Sequence, residues 1–287
     1  MLIPSLEAVA FQPRPFFAWL RRVSSLPMEP TPPTPAQALL EGHISVQAAL
    51  HSGSREVALL LLREDKRDAS VRALEQMAHA QNIPITRLSA ADMDARVQGK
   101  THGGVAATVG PRRFASPEAL LPASGAAFIA MIDGVEDPFN FGQAVRCLWA
   151  AGAHGLVVRP RNWMSAAGVV ARASAGASEL IPTAIAETAD TAAAFFRAQG
   201  LAIACADEAA SGTVSLYDAD LTQPLFLLIG GEKRGITRSF AGQADLRLRI
   251  PYGRANAHAL GTASAAAILA FETLRQRSRT PFGTLPR

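Results

Sequence analysis

The chain has 287 residues, 49% hydrophobic and 18% charged, a balance that excludes intrinsic disorder and leaves room for two ordinary domains. Formal net charge is +4, so a polyanionic partner is permitted without being required. No run of about 18 apolar residues exists to span a membrane, and Cys147 and Cys205 stand far apart, which fits a reducing compartment and gives no metal-ligand spacing.

Residues 1–36 read as a leader ending in a proline-rich linker (Pro30, Pro32, Pro33, Pro35), with Met28 as an alternative start. A small α/β unit is expected over 37–110. Val46 to Leu50 continues a helical pattern, Val57 to Leu62 suits a buried strand, Ser70 to Gln81 a helix, and Ile83 to Leu88 and Val105 to Val109 further strands. Residues 111–124, with Pro111, Pro117 and Pro122, read as a linker. A second domain is expected over 125–278, followed by a tail at 279–287. Its strands are placed at Ala127 to Ile132, Leu156 to Arg159, Leu201 to Ala206, Leu225 to Ile229 and Leu246 to Ile250. Its helices are placed at Phe141 to Ala151, Thr191 to Gln199 and 261–276. Strands alternating with helices predict a mostly parallel sheet, with ligands beyond the carboxyl ends of its strands. The loops 133–140, 230–236 and 251–260 leave such ends.

Three segments carry candidate chemistry. In the first, Asp133 to Gly142 followed by Arg146, Pro138 stiffens a loop and Asn140 can cap a helix starting at Phe141, placing Arg146 near its first turn. A helix N-terminus with a guanidinium suits a phosphate or developing oxyanion; a capped helix with a surface arginine is the plainer reading. In the second, Gly230-Gly231-Glu232-Lys233-Arg234-Gly235, paired glycines permit close backbone approach to a ligand, or form a simple turn. The third runs from Ile250-Pro251-Tyr252-Gly253-Arg254 to Ala259-Leu260-Gly261-Thr262-Ala263 and a helix behind it. There Ala263, Ala266, Ala267, Ala270, Phe271 and Leu274 form a stripe suited to core or to a subunit interface. The six histidines are scattered, no nucleophile elbow occurs, and Cys147 reads as a small buried hydrophobe. Between Asp245 and Arg287 lie seven arginines against Asp245 and Glu272, either a solvated helix end or a phosphate-facing surface.

In this order the segments resemble the SpoU/TrmH family of RNA 2′-O-methyltransferases, within the SPOUT superfamily. Asp137, Pro138, Asn140, Gly142 and Arg146 match its first motif; Gly230, Glu232 and Gly235 its second; Ile250-Pro251 with the Ala-rich helix ending at Glu272 its third. Ala175 to Glu179 resembles a further family segment, and Glu41-Gly42 with His102 to Val105 resembles the ends of its small L30e-like substrate-binding domain. The likeness covers about 37–276. Where the family usually has Ser-Leu-Asn-Val-Ser, this chain has Ala259, Leu260, Gly261, Thr262 and Ala263, so the Ser and Asn side chains are absent, with Arg254, Asn256, His258 and Thr262 nearby.

The resemblance implies an α/β fold: a C-terminal trefoil-knotted methyltransferase domain with a parallel sheet, and a small N-terminal RNA substrate-binding domain. It implies S-adenosylmethionine as cofactor, ribosomal or transfer RNA as substrate, no metal, a cytoplasmic setting and a homodimer, with Trp149 and Phe271 as candidate interface residues. Arg146, Asn140 and Glu232 are the implied catalytic residues; Gly230, Gly231, Ile250, Pro251 and Leu260 the implied cofactor contacts. Arg275, Arg277 and Arg279 are expected to meet RNA phosphates. The alternative is a catalytically impaired knot that binds RNA or cofactor without methyl transfer.

Overall fold

The structure, a computed structural model, describes residues 37–160, 164–208, 211–231, 235–254 and 259–278. Among the described residues the first seven elements are β1 (Ala38–Glu41), α1 (His43–Ser52), β2 (Arg55–Arg63), α2 (Ala69–Ala80), β3 (Ile85–Leu88), α3 (Ala90–Arg96) and β4 (Val105–Arg112). They form a four-stranded sheet in the order β1-β4-β2-β3, with β4 antiparallel to both its neighbours and β3 parallel to β2. Short polar side chains start α2 and α3: the Asp68 carboxylate accepts the Val71 N–H at 3.1 Å, and the Ser89 hydroxyl accepts the Asp92 N–H at 3.1 Å. Leu40, Val46, Leu60, Leu62, Leu74 and Val105 fill the core of this unit.

After a 3₁₀ turn at Glu118–Leu120 come β5 (Phe128–Asp133), α4 (Pro138–Ala150), β6 (Gly155–Val158), α5 (Ala167–Ala173), α6 (Ala177–Leu180) and β7 (Thr183–Ile185). They are followed by α7 (Ala189–Ala198), β8 (Ala202–Ala206), β9 (Val214–Ser215), β10 (Leu225–Gly230), α8 (Arg238–Gln243), β11 (Leu246–Arg249) and α9 (Thr262–Arg277). The seven strands pair in the order β7-β6-β5-β10-β8-β11-β9, and every pairing is parallel. Both faces are covered, so the central strands are continuous apolar runs. Phe128, Ala130, Ile132, Leu227 and Ile229 pack with α4 and α9. Ile129, Met131, Phe226 and Leu228 pack with α7 and α8 on the other side.

The expected parallel α/β sheet is thus present. The segment 111–124 is more than a bare connection: β4 continues into it, Ala115 bridges to Ala184, and Leu120 is buried under Gly155. The two sheets meet through α5 and α6. Ala167 and Ala171 of α5 belong to the small sheet's core. Glu179 of α6 is buried and paired with Arg55 at 2.9 Å and Arg112 at 3.5 Å, while Arg172 of α5 pairs with buried Glu41.

Candidate functional site at the strand carboxyl ends

Strand β10 lies between β5 and β8 although the chain reaches it after both, so the strand order reverses beside it. In open parallel sheets a crevice for ligand forms at such a point. In register, Asp133 at the end of β5 faces Gly230 at the end of β10, and both open into the loops singled out by sequence.

The first loop leads into α4 by a route different from the expected one. The helix starts at Pro138, and Asp137 is its cap: its carboxylate accepts the Asn140 N–H at 2.7 Å. Proline fits the first helical position because its missing N–H would lack a partner there and its φ is preset. Asn140 is therefore inside the first turn, and Arg146 lies in the third turn. Arg146 is exposed and makes no hydrogen bond or ion pair among the described residues. Burial raises the neighbouring Cys147 thiol above its ordinary value, offset in part by the Arg146 charge, which keeps the thiol protonated and a poor nucleophile.

The second loop crosses the first at two glycines. A Cβ on Gly231 would sit 2.1 Å from the Gly134 carbonyl oxygen, so a side chain is sterically impossible while the two backbones lie this close. The need for glycine at 231 thus comes from the neighbouring loop. Glu232 lies outside the described residues, as do Asn256 and His258.

The third loop is tied to the second and to the end of β8. Thr262, the first residue of α9, donates from its hydroxyl to the Gly230 carbonyl at 3.2 Å. Leu260 is half-buried and donates its N–H to the Tyr252 hydroxyl at 3.2 Å; that hydroxyl donates to Glu208 at 2.5 Å. Ile250 packs partly buried against the core beneath α9, and Pro251 is exposed. Gly230, Gly231, Ile250, Pro251 and Leu260 therefore belong to one edge of the sheet. Thr262 and Tyr252 were missed as structural ties, although both stand inside the third motif.

One expectation needs correction. Arg277 is not available to phosphate: its guanidinium donates to the carbonyls of Leu221, Ala126, Ala127 and Gln223 and lies 5.5 Å from the centre of the Phe128 ring. Burial lowers its pKa. Arg275 is held by Glu272 at 2.8 Å, and Arg279 lies outside the described residues. Of the expected α9 stripe, Ala266 and Ala270 are buried alongside Thr262, Leu269 and Thr273, whereas Phe271 is 45% exposed and so is not part of the core of this chain. Trp149 on α4, which packs along α9, is 40% exposed.

A separate cleft of about 330 Å³ opens where the two sheets join, lined by Ser54, Arg112, Arg113, Phe114 and Thr183 among others. It is remote in sequence from the strand-end loops. Among the described residues no helix is long and apolar enough to cross a membrane, and no group of three His, Cys, Asp or Glu could hold a metal.

The SpoU rRNA Methylase family model matches residues 127–271, half of the chain, including all three loops. The chain belongs to the SpoU rRNA methylase family. A second family model, RNA 2′-O ribose methyltransferase substrate binding, matches residues 39–115. Relatives include the 23S rRNA (guanosine-2′-O-)-methyltransferase RlmB of Pseudomonas syringae pv. tomato, 30% identical over 82% of this chain and 94% of its own length. An uncharacterized tRNA/rRNA methyltransferase of Mycobacterium avium is 30% identical over 92% of this chain and 85% of its own length. Among solved structures, the SpoU methyltransferase AviRb of Streptomyces viridochromogenes in complex with AdoMet aligns with a TM-score of 0.69 at 23% identity, covering 84% of this chain and 91% of that one. An AdoMet-bound rRNA methyltransferase of Sinorhizobium meliloti aligns with a TM-score of 0.69 at 24% identity, covering 84% and 87%. The fold is that of the SpoU methyltransferases.

Proposed function

We propose that this SpoU-family protein transfers the methyl group of S-adenosylmethionine to a ribose 2′-hydroxyl in ribosomal or transfer RNA. The observation that carries the reading is the convergence of three family motifs on one edge of a parallel sheet, with the loops tied through Gly134–Gly231 and Thr262–Gly230. The described rim suits an adenosine-bearing ligand: backbone groups at the ends of β10 and β11 to meet polar atoms, and Ile250, Pro251 and Leu260 to meet the apolar faces of its ring. Gly230, Gly231, Ile250, Pro251 and Leu260 hold the cofactor, which supplies an electrophilic methyl group when bound. In this reading the second and third loops form a trefoil knot around it.

A ribose hydroxyl is a weak nucleophile at neutral pH and gains from alignment and from stabilisation of negative charge as it reacts. Arg146 supplies that stabilisation with its positive guanidinium, through the reacting oxygen or the adjoining phosphate. It is not a base, because a guanidinium resists deprotonation. Asn140 fixes the first loop and Glu232 orients the substrate or Arg146. Residues 37–110 act as the RNA-binding domain beside a methyltransferase domain at 125–278. Two copies assemble in the cytoplasm through the α4–α9 face, where Trp149 and Phe271 present apolar surface.

Tritiated-methyl transfer to total RNA, compared with calorimetric cofactor binding, tests this reading. Transfer supports it. Binding without transfer favours the impaired alternative, which the missing side chains at Ala259 and Gly261 motivate.

A further inference from the structure

The third loop has lost two side chains that could fasten it. Gly261 stands at the cap of α9 and has no side chain to accept an N–H from the helix, and Ala259 has no polar atom beyond the backbone. Gly261 therefore gives α9 no side-chain cap of the usual Ser, Thr, Asp or Asn kind. The backbone N–H of Leu260 nevertheless has a partner, eight residues back, in the Tyr252 hydroxyl.

We propose that Tyr252 is a positioning residue: its hydroxyl accepts the Leu260 N–H and donates to Glu208, pinning the third loop to the end of β8 and fixing Leu260 for contact with the cofactor. The inference rests on the reading that this loop borders S-adenosylmethionine.

The polarity of the relay is consistent at each link. A phenol has one proton to give and lone pairs to receive; here it gives to a carboxylate and receives from an amide. The bonds measure 2.5 Å and 3.2 Å, and the shorter is the one to the charged acceptor, as expected. Glu208 also raises the Tyr252 pKa above its ordinary value, so the proton that makes the link is retained at neutral pH. Thr262 supplies the second tie from the same loop, to the Gly230 carbonyl. Tyr252 and Thr262 thus bracket Leu260 and fasten it on either side, one to β8 and one to β10.

The test uses the full chain with Tyr252→Phe, Glu208→Gln and Glu208→Ala, reading Leu260 amide exchange without ligand and calorimetric affinity for S-adenosylmethionine. Phenylalanine keeps the ring and removes the hydroxyl. Loss of one such bond is expected to speed Leu260 exchange about fivefold and to weaken cofactor binding about fivefold, with thermal midpoint and RNA retention unchanged. Glu208→Gln keeps an acceptor and should rescue both readouts, whereas Glu208→Ala should fall between. Unchanged exchange or unchanged cofactor affinity in Tyr252→Phe would overturn the proposal, as would an affinity loss matched by global destabilisation. If the wild-type chain binds no S-adenosylmethionine, the functional reading fails, and the Leu260 exchange rate alone then decides the relay.

Discussion

The Arg55 guanidinium donates from Nε to the Glu179 carboxylate at 2.9 Å, and both side chains are almost wholly withdrawn from solvent, at 6% and 1% exposed. The pair joins the small sheet to α6. Burial alone would raise the Glu179 pKa, but the charges of Arg55 and Arg112, with hydrogen bonds from Ser54 and Arg55, bring it below the ordinary carboxylate range. Removing one member of such a buried cluster strands the others, which costs about 3–5 kcal/mol. Glu179→Ala should therefore lower the urea midpoint sharply, and Glu179→Gln, which keeps hydrogen-bonding atoms, should cost less. A loss below about 1 kcal/mol for Glu179→Ala would contradict this.

His154 gives a pH dependence with a definite sign. Its Nδ1 accepts the Phe128 N–H at 3.0 Å, which requires that nitrogen to be unprotonated. Burial, helped by the Arg277 charge, lowers its pKa below the ordinary 6.5. A depressed folded pKa means that the unfolded chain takes up the proton first as pH falls. The contribution is present above 6.5 and is lost as pH drops through that value towards the folded pKa. Thermal midpoints should decline over this range, and His154→Gln should flatten that part of the profile.

Gly231→Ala tests the crossing of the first two loops. The added carbon would fall 2.1 Å from the Gly134 carbonyl oxygen and 2.8 Å from the Val135 nitrogen, both backbone atoms with little room to yield. We expect destabilisation of about 3 kcal/mol, at the upper end for overpacking, together with loss of cofactor binding because the loops must separate. Near-normal stability and binding would place the role of this glycine elsewhere.

How far the sequence was legible follows from burial. Strands β5 and β10 stood out because Phe128–Ile132 and Leu225–Ile229 are buried on both sides and so need apolar residues throughout. Helices α5 and α6 did not, because they are wedged between the small sheet and α4. Ala171, Ala173, Ala177 and Ser178 are small and buried, leaving no amphipathic stripe to find. Strand β7 and the two-residue β9 were too short to give a pattern. At the site, the glycines and prolines marked the three loops correctly, but the cap of α4 was read three residues late because Asp137 and Asn140 are both good capping residues. The Tyr252–Leu260 bond has no local signature, and the engagement of Arg277 with four carbonyls depends on chain segments about 50 and 150 residues away.

Arg146 separates charge stabilisation from binding. If its guanidinium acts only as negative charge develops, Arg146→Ala should cut methylation by about 10²–10³ while leaving cofactor affinity nearly intact. Arg146→Lys should recover little, because an ammonium lacks the planar fork. Single-turnover rates beside calorimetry provide the comparison, and methylation unchanged by Arg146→Ala would place the reacting groups elsewhere.

The most direct measurement is the chemical position of the transferred methyl. RNA labelled by the full chain with tritiated S-adenosylmethionine is digested in alkali, which cleaves wherever a free 2′-hydroxyl can attack its neighbouring phosphate. A ribose 2′-O-methyl group blocks that attack, so the account predicts label in an alkali-resistant dinucleotide. Label recovered in mononucleotides, carried on a base, would contradict it.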